Sequence, residues 1–155
     1  MYKRQRQESA FNSTVVSSAG AKGLMQMIDS TAKRSAVRAG LAFDETRLLT
    51  DAAFNAQLGA AHLGALMAEQ GNSYILTFAA YNAGGGRVKQ WIDAYGDPRN
   101  PGVDAVDWVE RIPFTETRNY VQRVMANVTM YQARFADEAA RSEAAQASGE
   151  AQAKL

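Results

Sequence analysis

The chain has 155 residues, enough for one domain with a genuine core, and its 46% apolar and 21% charged residues are those of an ordinary globular protein. A net charge of +1, no cysteine and a single histidine exclude a strong one-signed field, thiol or disulfide chemistry, and a metal site built from Cys or His. Arg and Lys are scattered without interleaved aromatics, so nucleic acid is not an expected partner, and no run has the length of a membrane span.

In chain order, residues 1–5 form a polar, abrupt start. Tyr-Lys-Arg-Gln is what the end of a common sequencing-library transposon encodes in one frame, so these five residues are expected to be a non-native leader. Residues 6–11 read as the tail of a helix, and the Ser- and Gly-rich residues 12–22 as a loop. Residues 23–27 fit one short apolar turn. Asp29-Ser30-Thr31 opens a helix that runs to Ala39, with Asp29 as its cap and Gly40 as its stop. Residues 43–50 are a connector with room for one helical turn.

Asp51 is suited to cap the next helix, whose face is Phe54, Leu58, Ala61 and Ala65. Ala60, Ala61 and Gly64 would let a neighbouring helix approach closely. Gly71 stops this helix, and Asn72 or Ser73 caps another that is apolar nearly all round from Tyr74 to Tyr81, hence central. Gly84, Gly85 and Gly86 end it, because glycine is a poor helix former. A short amphipathic helix is expected over 88–95, an exposed loop with Pro98 and Pro101 over 96–102, and a short helix over 104–111 stopped by Pro113. Thr115 is the expected cap of the last long helix, with Tyr120, Val121, Val124, Met125, Val128 and Tyr131 as its buried stripe. Residues 136–155 are rich in Ala, Glu and Gln and are expected as a frayed helical extension or disorder. No alternating run or hairpin signal appears, so the fold class is all-α, with about seven helices.

The chemistry begins with Glu8, a carboxylate placed where a helix meets a loop, with Phe11 close by in sequence. A carboxyl held against apolar groups keeps its proton at neutral pH and can donate it to a leaving oxygen. Ordinary glycoside hydrolysis needs a second carboxylate across the bond. Asp29, Glu110 and Glu116 are the candidates, and each has a simpler explanation: a helix cap, a solvated charge, and a first-turn acid favoured by the helix dipole. The three glycines follow a helix, with no Gly-Lys-Ser/Thr after them, which argues against a phosphate cradle. Tyr81, Trp91 and Tyr120 read as packing residues, and His62 as a packing or surface residue. Taken alone, these residues describe a helical domain with one carboxylate of catalytic interest.

Four segments in order say more: Arg-Gln-Glu-Ser at 6–9, Gly-Leu-Met-Gln at 23–26, Ala-Tyr-Asn-Ala-Gly at 80–84, and Ile-Pro-Phe-Thr-Glu-Thr-Arg-Asn-Tyr-Val at 112–121. Together they make residues 6–135 resemble the catalytic domain of the soluble lytic transglycosylases of bacterial cell walls, a lysozyme-like fold related to goose-type lysozyme. The resemblance implies a lyase that cleaves the β-1,4 bond between N-acetylmuramic acid and N-acetylglucosamine without water and leaves a 1,6-anhydro ring. It implies Glu8 as the single acid/base, and a substrate groove drawn from Ser17, Met25, Gln26, Tyr81, Asn82 and Tyr120. It adds Glu116, or less readily Glu110, at the peptide stem or as a buttress of the groove. It implies no cofactor and no metal, peptidoglycan glycan strands as the partner, a monomer, and the periplasm or cell envelope as the place of action. A muramidase, with water as nucleophile, or a non-catalytic peptidoglycan-binding module are the alternatives on the same fold. One departure is that residues 1–5 stand where the family has apolar helical turns beneath the acid.

Overall fold

The computed structural model describes residues 12–152, with side chains described as far as residue 142. Glu8, the expected leader and the expected helix tail over 6–11 lie outside the described residues. The described chain is all-α. Its helices are α1 (Asp29–Ala39), α2 (Arg47–Thr50), α3 (Ala52–Glu69), α4 (Tyr74–Ala83), α5 (Gly85–Tyr95), α6 (Ala105–Glu110) and α7 (Thr115–Gln152). Among the described residues the only β pairing is two isolated antiparallel bridges, Val16 with Lys22 and Lys22 with Met27, which tie the loop before α1.

The helix boundaries follow local chemistry. Asp51 accepts from the Phe54 amide at 2.9 Å and caps α3, and Ser73 accepts from the Leu76 amide and caps α4. Asp104 accepts from both Val106 and Asp107 and starts α6. Gly40, at φ 66°, stops α1 by donating to Ala36 and Val37 carbonyls.

Several expectations change. Ile28 occupies the cap position of α1 with no side-chain cap, and Asp29 is instead the first helical residue, bound at 2.8 Å by Lys22. The close approach on α3 is at Gly59, where a Cβ would lie 2.5 Å from the Met25 side chain. Gly64 faces open space, and Ala60 is exposed. The glycine run ends α4 as expected, with Gly84 turning the chain at φ 88°, but α5 begins at Gly85 rather than at Val88. Phe114, not Thr115, takes the cap position of α7, its carbonyl accepting the Arg118 amide at 2.9 Å. The buried stripe of α7 ends at Val128, since Tyr131 is half exposed. Beyond it α7 continues as helix to Gln152.

The core has two parts. One gathers Leu76, Phe78, Ala79, Val88, Trp91, Trp108, Ile112 and Val121 from α4 to α7. The other gathers Met27, Ala32, Ala36, Leu48, Phe54 and Leu58 from the loop and α1 to α3. Tyr81, near the end of the central α4, packs against both. The junction it occupies is where the molecule opens.

Candidate active-site groove

A groove of about 810 Å³ runs along this junction. Its walls are the loop over 17–28, α1, α3, the end of α4 with Gly84 and Gly85, and the first turns of α7. Ser17, Met25, Gln26, Tyr81, Asn82, Glu116 and Tyr120, dispersed over a hundred residues of sequence, all line it.

The loop is the most constrained part. Lys22 and Met27 exchange two backbone hydrogen bonds at 2.9 and 3.0 Å, and the Gly23 amide donates to Val15 O. Beneath them lies Asn55 of α3, fully buried. Its amide nitrogen donates to Lys22 O at 3.0 Å and Leu48 O at 2.9 Å, and its oxygen accepts from the Met25 amide at 2.7 Å. Gly23, at φ 71°, lies so close that a Cβ would sit 2.2 Å from Leu48 O and 2.4 Å from the Asn55 amide. No other residue type fits that place. Gln26 is left-handed at φ 47°, uncommon for a residue with a side chain. Its own side-chain amide steadies the turn, donating to Gly23 O at 2.9 Å and Val15 O at 3.2 Å.

The other groove residues join segments. The Tyr81 hydroxyl donates to Met25 O at 2.9 Å, with Met27 Sδ 3.4 Å away. Asn82 Oδ1 accepts from the buried Thr117 hydroxyl at 2.6 Å, which locks the end of α4 to the start of α7. Ser17 Oγ accepts from the Ala19 and Ala21 amides at 3.2 and 3.0 Å, leaving the hydroxyl hydrogen to point elsewhere. Glu116 stands exposed in the first turn of α7, and Tyr120 one turn later is half-buried.

The candidate second carboxylates separate. Asp29 is paired with Lys22, which also binds Glu45, and does not line the groove. Glu110 accepts from Gln122 at 2.6 Å and lines a separate, smaller cavity. Glu116 lines the groove, and so does Glu69, a position that sequence reasoning passed over. His62, expected to be a packing or surface residue, also lines the groove, its ring tilted 42° against Tyr81 at 5.2 Å. Burial first, and then the charges of Arg38 and Arg34, hold the His62 pKa below its ordinary value of 6.5, with Glu69 opposing. Asn55 was also missed, since a single Asn inside a helix carries no local signal. No group of His, Cys, Asp and Glu able to hold a metal occurs among the described residues.

With this geometry in view, comparison with known proteins is direct. Residues 5–100 match the Transglycosylase SLT domain family, and residues 111–139 match the Soluble lytic transglycosylase helical domain. The chain is 45% identical over 128 residues to a putative soluble lytic murein transglycosylase of Haemophilus influenzae, covering 82% of this chain and 21% of that protein. It is 40% identical over 127 residues to the soluble lytic murein transglycosylase of Escherichia coli, covering 81% and 19%. Among solved structures, an inactive glutamate-to-glutamine mutant of the Pseudomonas aeruginosa lytic transglycosylase Slt superposes with a TM-score of 0.74 at 37% identity, covering 84% of this chain and 20% of that one. A 70-kDa soluble lytic transglycosylase in complex with bulgecin A gives 0.74 at 39%, covering 84% and 21%. The chain thus spans about a fifth of the length of these relatives. It belongs to the SLT transglycosylase domain family and is homologous to the soluble lytic murein transglycosylases.

Proposed function

We propose that this domain is a peptidoglycan lytic transglycosylase that cleaves the MurNAc–GlcNAc β-1,4 bond with Glu8 as its only acid/base. The observation that carries the reading is the groove. Ser17, Met25, Gln26, Tyr81, Asn82, Glu116 and Tyr120, the residues matched by motif to the family's cleft, line one continuous cavity. The loss of activity in the glutamate-to-glutamine mutant of the Pseudomonas relative supports a carboxyl at the centre of the chemistry.

In the proposed reaction the Glu8 carboxyl gives its proton to the glycosidic oxygen as the C1–O bond breaks. The substrate's acetamido group steadies the electron-poor C1. The muramyl C6 hydroxyl then attacks C1, and the Glu8 carboxylate takes the proton from it. One carboxyl is restored, one C–O bond replaces another, and no water enters. Such paired donation and abstraction is ordinary acid–base catalysis. An internal nucleophile held near C1 benefits from proximity. It also removes the need for the second carboxylate that a hydrolase places across the bond. The loop serine Ser17 and the aromatic walls Tyr81 and Tyr120 would hold the sugars, and Glu116 would meet the peptide stem or buttress the groove. Work on glycan strands assigns the domain to the periplasm or cell envelope, acting as a monomer without cofactor or metal.

The test is digestion of purified peptidoglycan followed by mass spectrometry. The expected products are anhydromuropeptides, lighter by one water than hydrolytic ones, and Glu8→Gln abolishes them. Hydrated reducing ends would convert the reading to a muramidase. Binding to sacculi with no turnover would convert it to a binding module.

A further inference from the structure

Asn82 enters the groove with half of its amide already committed. Its Oδ1 accepts from the Thr117 hydroxyl at 2.6 Å. That length is ordinary for an O–H···O bond and short for an N–H···O bond, so the oxygen of the amide, not its nitrogen, faces Thr117. Asn82 Nδ2 donates to no group among the described residues, where every buried side-chain nitrogen or oxygen has a partner, so this nitrogen is open to the groove. The groove therefore receives two N–H donors in a fixed direction. Gln26 is set the other way: its amide nitrogen is held by Gly23 O and Val15 O, which leaves its oxygen.

Thr117 does not itself line the groove. Glu116 and Tyr120, four residues apart on α7, line it, while Thr117 and Val121, also four apart, lie on a neighbouring face that is buried. A buried hydroxyl costs free energy unless it is bonded, and a valine would have nearly the same shape. Thr50 and Thr129, at exposed helix positions, bond back to the carbonyl four residues earlier, at Thr46 O and Met125 O. Thr117 reaches across to α4 instead.

We infer that Thr117 is a positioning residue of the groove: its hydroxyl fixes the Asn82 amide so that N–H donors, not the carbonyl oxygen, meet an acceptor oxygen of the glycan strand. The inference rests on the peptidoglycan reading and says how one groove residue is given its polarity. Without the hydroxyl the amide can turn over, and the reversed orientation sets its oxygen against the oxygen of the sugar. Thr117 then acts on the substrate only through Asn82.

The experiment is a double-mutant cycle read by kcat/KM on soluble glycan strands with the full chain. Thr117→Val should lower kcat/KM about tenfold, the worth of one hydrogen bond, and Thr117→Ser, which keeps the hydroxyl, should hold it within about twofold. In an Asn82→Ala background the same Thr117→Val change should add less than about twofold, because the amide it positions is gone. Equal losses in the two backgrounds would make Thr117 a packing residue only and overturn the inference, as would native activity in Thr117→Val. Asn82→Asp keeps an acceptor for Thr117 but puts an oxygen where the groove has its N–H donors. It should lose at least as much as Thr117→Val, and native activity in Asn82→Asp would overturn the inference even if Thr117→Val does not fold. A native chain that turns over no glycan would refute the proposed function, and the inference is then read from binding. NMR signals of the Asn82 side-chain amide, titrated with a GlcNAc–MurNAc disaccharide, should shift in the native chain and in Thr117→Ser and shift less in Thr117→Val. Equal shifts in all three, or none in the native chain, would overturn it.

Discussion

Asn55 offers the sharpest test of how the groove is held. Its side chain makes three hydrogen bonds to the backbone of two segments, at Lys22 O, Leu48 O and Met25 N, and none of it reaches solvent. Replacement by Ala removes all three and strands the three backbone groups. At about 1 kcal/mol net for each bond, Asn55→Ala should cost about 3 kcal/mol, a large part of the 5–15 kcal/mol that stabilises a typical domain. A water entering the vacated polar space would limit the loss; stranded groups left dry would raise it to about 5 kcal/mol. Urea unfolding with an unchanged m-value measures it. Asn55→Asp makes the argument specific. It keeps the shape but turns an oxygen toward two carbonyls and buries a charge. Its folded-state pKa would be raised above the unfolded value near ~3.9. What stability the protonated form retains is therefore present below that value and lost as pH rises through the folded pKa. Asn55→Asp should be closer to native stability in acid than at neutral pH. A loss below about 1 kcal/mol for Asn55→Ala, or an Asn55→Asp deficit that does not change with pH, would refute the clamp.

Other outcomes follow from the same physical terms. Gly23→Ala meets Leu48 O at 2.2 Å in a left-handed conformation and should cost about 2–5 kcal/mol, read by the same unfolding assay. Gly64→Ala in the middle of α3 meets nothing within 4 Å and should stabilise by about 1 kcal/mol, seen as a rise in Tm. The Asp51 pKa is lowered, chiefly by the Phe54 amide and then by Arg47, so its capping contribution is present above 3.8 and lost as pH falls through the folded pKa. The stability gap between the native chain and Asp51→Ala should accordingly close in acid, measured by unfolding at stepped pH.

Much of the fold could be read from the sequence because its signals are local. Gly40, Asp51, Ser73 and Asp104 act on amides or carbonyls within a few residues, and the apolar run of α4 declares a central helix by itself. What misled was tertiary. Asp29 has the chemistry of a cap, but Lys22 pulls it into an ion pair. Small residues on α3 announce a close approach without saying which one is used, and the Met25 side chain selects Gly59. The glycines after α4 are poor helix formers, yet one turning at Gly84 leaves the next two free to begin α5. The motif residues were found, but the α1–α3 wall was not. Arg34, Arg38, His62 and Glu69 have no spacing that distinguishes them from surface charges, and only the packing of α1 on α3 sets them along one groove.

The contacts also change what the motif residues mean. Gln26, Tyr81 and Asn82 read as groups that touch substrate, yet each commits polar atoms to the protein. The Gln26 amide nitrogen holds its own turn, the Tyr81 hydroxyl holds Met25 O, and Asn82 Oδ1 holds Thr117. The Gln26 bonds stay within the loop, while the other two cross from α4 to the loop and from α7 to α4, three of the segments that frame the cleft. The proposed reaction has one carboxyl acting first as donor and then as acceptor, and a nucleophile that must approach C1 within the same sugar. Such chemistry is sensitive to misplacement of about 1 Å, so a rigid frame would be part of the proposed catalytic apparatus. A loop fixed by a buried Asn and a left-handed Gln, and tied to a tyrosine of the central helix, provides that rigidity with no disulfide in the chain. In this chain the Gly-Leu-Met-Gln and Ala-Tyr-Asn-Ala-Gly segments are joined directly, the Tyr81 hydroxyl donating to Met25 O while Tyr81 also lines the groove.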